Sequence, residues 1–351
     1  MIRQPVNMWQ SKFFKLSEKP TPEIVDLLTE VTLGTTGVRY KHLDTAKRVL
    51  QIDNPLFFYI QRQQKVLGNI TFCRRNQDWY IRYFAFRTSL QRSTDTKTED
   101  KSNSLLKTEI EYFFQSAMSG DVDGNEVDHL YAYIDPKNDR SKWMSKNFNF
   151  QTVAQLSTQT FSRFFAKKSP RFKIIDAANT DMHQRVRHAF QNHAFFFEYY
   201  LDKDPFAVIE NEQEEIIAFA RISKAHWHIE SLGGKWGEQK AKLLSKTPIL
   251  NRLVNPEKHT FVVPDSVWVK DNDPTILTEL FESMIAYTQA NMLIWWVDNK
   301  EPLHQQAKKQ VKWGALHPIL GASQVDVVCR SKTGKADELE HPLYVVAIDA
   351  I

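Results

Sequence analysis

At 351 residues the chain exceeds what one compact core of ordinary size takes up, so two domains are expected. With 42% hydrophobic, 12% aromatic and 25% charged residues, its composition is that of a globular protein and not of a disordered one. Lysine and arginine number 46 against 42 acidic residues, and a net charge of +4 dispersed over this length argues against nucleic acid as a partner.

Cys73 and Cys329 stand far apart with no Cys/His spacing, so neither a disulfide framework nor a metal site is read, and a reducing cytoplasm fits. The N-terminal residues lack the apolar core of a secretory signal, and no stretch approaches the roughly 20 apolar residues of a membrane helix. The expectation is a cytoplasmic protein without a membrane partner.

The chain opens with a strand-like "KFFKLSE". In "TPEIVDLLTEVTLG", Thr21 can cap a helix and Pro22 can take its first position, and "LDTAKRVLQ" reads as a second helical piece. Next, "LFFYIQRQQKVLGNITFCRR" and "WYIRYFAFRTSL" read as three strands of a meander, rich in aromatic and β-branched residues. Residues 91–104 contain no apolar residue and lead into "LLKTEIEYFFQSAM", whose Leu105, Leu106, Ile110, Phe113 and Phe114 form a helical stripe. A strand "HLYAYID", a short helix in "NDRSKWMSKNFNF" and a strand "QTVAQLSTQTFSRF" follow.

The basic "RFFAKKSPRFK" reads as a linker, with a boundary near residue 168. Beyond it comes a similar order: strand and capped helix, a hairpin in "FAVIENEQEEIIAFARISKAHWHIESL", the strand "HTFVVPDSVWV", a helix starting near Pro274, the strand "MLIWWVD", and a helix closed by Gly314. The expected domains are residues 1–168 and 169–351, a structural duplication.

This element order resembles the GNAT (Gcn5-related N-acetyltransferase) superfamily, and "NDRSKWMSKNFNF" carries the resemblance in detail. Many members show an Asn, a small residue three on, a Leu-Tyr pair at six and seven, and Gly-Phe at eleven and twelve. Here the positions hold Asn138, Ser141, Met144 with Ser145, and Asn149 with Phe150. Asn149 can take the left-handed turn that glycine usually takes. The resemblance implies an α/β (α+β) fold of two tandem GNAT-like domains, each a mixed, mostly antiparallel sheet flanked by helices. It further implies an acyl-CoA-dependent N-acyltransferase, with acetyl-CoA or another acyl-CoA as donor and an amine as acceptor.

By the same resemblance, Asn138 helps hold the thioester where two parallel strands part, and Phe84, Ala85 and Phe86 line the parting strand. The amide of Ala85 or Phe86 would hold the thioester carbonyl. Ser145 stands where the family's proton-donating Tyr stands, a shorter and weaker acid. The phosphate-binding turn falls on residues 97–102, with Asp100 and Ser102 in place of glycines. Lys97, Lys101, Ser102 and Asn103 are its candidate phosphate contacts, while Glu99 and Asp100 oppose an anion. The matching turn of the second half carries Asp271 and Asp273, an altered or lost site.

Two further patterns are read from the residues. In "HWHIE", His226, His228 and Glu230 share one strand face and are candidates for a metal site, for a general base or for a structural polar face. Arg82, on a face expected to hold Tyr80, Phe84 and Phe86, is a candidate substrate-anion contact together with Tyr80. The alternative to an enzyme is a catalytically inactive GNAT-fold protein that binds a ligand or partner.

Overall fold

The computed structural model describes residues 10–34, 37–87, 105–232, 234, 236–246, 254–317, 322–334, 336 and 339–350. In the first half, β1 (Phe14–Ser17), α1 (Pro22–Thr29), β2 (Arg39–His42) and α2 (Thr45–Val49) precede a meander of β3 (Pro55–Arg62), β4 (Lys65–Arg75) and β5 (Asp78–Phe86). Then come α3 (Leu105–Met118), β6 (His129–Ile134), α4 (Asp139–Asn147) and β7 (Gln151–Ser162). The second half holds β8 (Phe172–Ile175), α5 (Thr180–Phe190), β9 (Phe206–Glu210), β10 (Ile216–Ser231), α6 (Gly237–Lys246) and β11 (His259–Val269). It closes with α7 (Pro274–Thr288), β12 (Met292–Asp298), α8 (Pro302–Gln310), β13 (Ala322–Ser331) and the short α9 (Ala347–Ala350).

Local chemistry explains the helix starts. Thr21, Asn179 and Asp273 each turn a side-chain oxygen onto an orphan amide of α1, α5 or α7, and Pro22 and Pro274 follow at positions whose N–H is not needed. The helix read up to Gly314 ends at Gln310 instead. Gly314 serves a close approach: it sits at φ +96°, and a Cβ there would run into the Ser162 carbonyl.

All the described strands belong to one sheet, in the order β1-β3-β4-β5-β6-β13-β7-β12-β11-β10-β9-β8, with β2 added to β10. The final strand of each half is exchanged. β13 lies between β6 and β7, antiparallel to both, and β7 pairs on its other side with β12. This explains why the polar Ser157, Gln159, Thr160 and Ser162 of β7 are buried: the strand is central, and neighbours satisfy it. The Ser157 hydroxyl donates to Asn299 (2.6 Å), Asn299 to Gln324 (2.7 Å) and Gln324 back to Ser157 (3.0 Å).

Helices cover both faces. In the first half α3 packs Ile110, Phe113 and Phe114 on Phe58, Phe72 and Trp79, while α1 and α2 cover Phe57, Cys73, Tyr80 and Tyr131. In the second half α7 and α8 take the face of Leu293 and Trp295, and α5 the face of Val208 and Phe219. The segment 343–347 runs through the middle: Leu343 and Val345 join the α1 core, Tyr344 and Val346 the α5 core.

Candidate functional site

The sheet parts at two places. β5 and β6 are parallel and paired only at Asp78 with His129, Trp79 with Leu130, and Tyr80 with Tyr131. Past Tyr80 and Tyr131 they are no longer registered. β11 and β12, also parallel, pair only at Val262 with Leu293. Each parting strand carries a β-bulge at the same stage. On β5 the register against β4 slips between Tyr83 and Ile81, leaving Arg82 as the extra residue. On β11 it slips between Trp268 and Asp265, and Ser266 there has φ +50°.

The bulge at Arg82 corrects the face expected for β5. Beyond it Tyr83 and Ala85 point to the α1 side with Tyr80, and Phe84 and Phe86 to the α3 side. The Arg87 N–H donates to the Leu67 carbonyl (2.8 Å), so alternation directs the Ala85 amide at β4 and the Phe84 and Phe86 amides to the side of the opening. Of the amides considered for holding an oxygen, that of Ala85 is engaged in the ladder. Phe86 lies across Gly68, whose missing Cβ makes room for the ring.

The C-terminal segment seals the second opening. Asp298 accepts from the Leu343 N–H (2.9 Å), Asp265 from the Ala347 N–H (2.7 Å), and Ser266 bonds the Tyr344 hydroxyl (2.8 Å). Asp265 also receives both arms of the buried Arg221 guanidinium (2.6 Å each). At the turn behind this opening Asp271 has φ +56°, and the Asp273 carboxylate caps Thr275 (2.7 Å), so the helix start is already occupied by an acid.

In the first half the same segment reaches the α1 face at the base of the β5/β6 opening. Asp349 accepts two hydrogen bonds from Arg75 (2.6 and 2.7 Å), and the Tyr80 hydroxyl donates to the Asp349 carbonyl (3.2 Å). Arg82 donates to the Ile348 carbonyl and lies 3.7 Å from the Asp349 carboxylate. Tyr80 and Arg82, expected to meet a substrate, are buried and hold the chain's own segment instead. Their charge balance comes from Asp349, and solvent does not reach the guanidinium.

Tyr133, on β6 beyond the last paired residue, is the group the sequence reading missed. Its hydroxyl is buried with no hydrogen-bond partner among the described residues, and its ring lies 4.9 Å from that of Tyr80 and 6.3 Å from that of Trp296. Burial pushes its phenol well up, with Tyr131 and Asp349 adding to the effect, so it keeps its proton. Next to the bulge, burial brings His42 down to about 3, helped by the positive Arg48 and Arg82. The indole of Trp227 donates to its Nδ1 (3.2 Å), which puts the ring's own proton on Nε2. A signal was present in "HLYAYID", whose alternation sets Tyr131 and Tyr133 on one face, but aromatic residues at strand spacing usually mean core.

The remaining sequence candidates separate. Asn138 is the cap of α4, its side-chain oxygen accepting from Arg140 and Ser141 amides (3.2 Å each), which is a turn role. Ser145 donates back to the Ser141 carbonyl (3.0 Å), a bond internal to α4. Asn149 does take the left-handed conformation (φ +57°), and Met144 and Phe150 pack on the α3 core as the spacing required. His226, His228 and Glu230 lie on β10 of the second half and use different partners: Thr260 (2.8 Å), the Glu257 carbonyl (3.4 Å), and Lys41 (3.3 Å) with Thr32 (3.3 Å). They form no common site, and no metal-holding group of three or more His, Cys, Asp or Glu occurs among the described residues. Lys97, Lys101, Ser102 and Asn103 lie outside the described residues.

No family model matches the sequence, and no curated protein matches it. Solved structures do. N-myristoyltransferase of Saccharomyces cerevisiae with bound myristoyl-CoA superposes with a TM-score of 0.54 at 10% identity, covering 93% of this chain and 84% of the enzyme. A tandem GNAT protein from the clavulanic acid biosynthesis pathway gives 0.53 at 7% identity, covering 92% of this chain and all (100%) of that one. Exchange of final strands, two parted parallel pairs and two bulges are thus set in a known architecture: the chain has the tandem GNAT fold.

Proposed function

We propose that the protein is an acyl-CoA-dependent N-acyltransferase whose donor site is the β5/β6 opening of the first half. The observation that carries this reading is the asymmetry of the two openings. The second is threaded by residues 343–347 and backed by Asp271 and Asp273, whereas the first has the Phe84 amide directed into it and the buried Tyr133 hydroxyl beside it. Structural neighbours described with bound myristoyl-CoA and in relation to acetyl-CoA support the choice of donor class. An amine acceptor attacks the thioester carbonyl carbon, the new C–N bond replaces the C–S bond, and CoA leaves as a thiolate that takes up the proton the amine gives up. The Phe84 amide and the Tyr133 hydroxyl are hydrogen-bond donors for the oxygen on which charge develops. Ser145 takes no part, and a thiolate leaves without strong acid assistance.

Binding of the intact chain to CoA, acetyl-CoA and myristoyl-CoA, followed by calorimetry, tests the reading. Saturable binding is expected, with Tyr133→Phe weakening the acyl esters by about tenfold, one hydrogen bond of 1.4 kcal/mol, and leaving CoA unchanged. No saturable heat up to about 1 mM ligand would overturn it. The second reading, an inactive binding protein of the same fold, draws on the closed second opening and the engaged Ser145. It predicts no transfer even where CoA esters bind.

A further inference from the structure

β5 runs parallel to β6, and β6 and β7 both run antiparallel to β13, so the C-terminal ends of β5, β6 and β7 lie on one edge of the sheet. The segment after β7 leaves from that edge. It begins with Phe164 and Phe165, which are 42% and 81% exposed, and continues to the exposed Lys167 and Lys168. Two adjacent phenylalanines left in water are costly unless something covers them.

The charges around them are sorted. Arg163 pairs with Glu282 (3.4 Å) and Arg171 with Glu279, so these cations are neutralised locally. Lys167 and Lys168 have no ion pair among the described residues. The Ser162 N–H donates to the Trp313 carbonyl (2.8 Å), which brings the residues following α8 alongside; Lys312 among them, and Lys308 and Lys309 in the last turn of α8, are exposed and likewise unpaired among the described residues. Lys167 and Lys168 thus follow the apolar tip in sequence, and three more exposed lysines stand at the end of α8 and just beyond it.

We propose that this edge docks on an anionic phospholipid bilayer, with Phe164 and Phe165 entering the headgroup region and Lys167, Lys168, Lys308, Lys309 and Lys312 over the anionic lipids. A bilayer asks for no complementary shape, only apolar side chains at a tip and cations behind it, and this edge supplies both. A nucleic acid would want a basic track along which phosphates run, whereas here the cations flank an apolar tip in a molecule of net charge only +4. No helix among the described residues is long and apolar enough to cross a membrane, so the contact is peripheral. The β5/β6 opening faces the same edge, yet the docking surface stands on the exposed residues and does not depend on the acyltransferase reading.

The test is co-sedimentation of the intact protein with vesicles of phosphatidylcholine alone and of phosphatidylcholine mixed with phosphatidylserine, at low and moderate salt. Binding to the phosphatidylserine vesicles that weakens with salt is expected. F164S/F165S and K167E/K168E should each lower the partition coefficient by about tenfold or more, without changing thermal melting, because all four side chains are exposed. Absence of binding at low salt, equal binding to the two vesicle types, or unchanged partition of both variants would overturn the proposal. So would capture by an oligonucleotide in place of vesicles.

Discussion

The Arg75–Asp349 pair sets a severe single-residue demand. Both side chains are almost wholly buried, at 2% and 1% exposure, and Arg75 also lies 3.8 Å over the Phe197 ring. An ion pair of this kind need not stabilise relative to a hydrophobic pair of the same shape, but removing one partner strands the other in an apolar setting. Asp349→Ala is therefore expected to cost about 3–5 kcal/mol in urea unfolding, and Arg75→Met with Asp349→Leu to recover only part of that loss, because Arg82 also loses the carboxylate 3.7 Å away. Equal stability of Asp349→Ala and the parent protein would show that water reaches Arg75. The sequence disclosed some residues at this scale and hid others. Asn149 was legible because a left-handed turn leaves few residue choices. The face shared by Tyr80, Arg82, Phe84 and Phe86 was misread because one bulged residue reassigns every side chain beyond it, and nothing in "WYIRYFAF" marks the bulge.

Element by element, the meander, the helix caps and the repeated order were readable, since alternation and capping act over a few residues. The exchange of β7 and β13 was not, because partner choice between strands is decided by contacts more than 150 residues apart, such as Gln155 with Asp326. β2 also escaped notice, being only four residues long and paired to β10, nearly 190 residues away in sequence. The exchange has a consequence for the boundary near residue 168. Residues 1–168 alone would leave β6 and β7 without the strand that joins them, with open ladder edges and the buried polar face of β7 exposed. Each half expressed separately is expected to be insoluble or aggregated, and co-expressed halves to form a soluble complex, as read by size-exclusion chromatography. A monomeric, cooperatively folded 1–168 fragment would contradict this.

For the whole molecule, buried imidazoles set the response to acid. Burial holds His259 and His304 at about 4 and His42 at about 3. In the unfolded chain each titrates near 6.5. Between those values the unfolded state binds more protons than the folded one, so this stability is complete above pH 6.5 and is lost as pH falls toward 4. The loss reaches up to about 1.4 kcal/mol per pH unit for each fully buried histidine. His129 works the other way. Its hydrogen bond to Asp78 (2.8 Å) raises its pKa, so its contribution is present below pH 6.5 and fades as pH rises through the raised value. Being partly exposed, that pair offsets little. The urea midpoint should be lower at pH 5 than at pH 7, and the difference should shrink in His304→Gln; identical midpoints would contradict the account.

An acyl-CoA held in the opening of the first half and not in that of the second leaves a signature on backbone amides. Hydrogen–deuterium exchange of the intact protein with and without saturating myristoyl-CoA reads this directly, peptide by peptide. Ligand-dependent protection is predicted across residues 82–87 and 131–138 and the start of α3, with residues 263–273 and 294–299 unchanged. Protection confined to the second set, or none in either, would contradict the assignment.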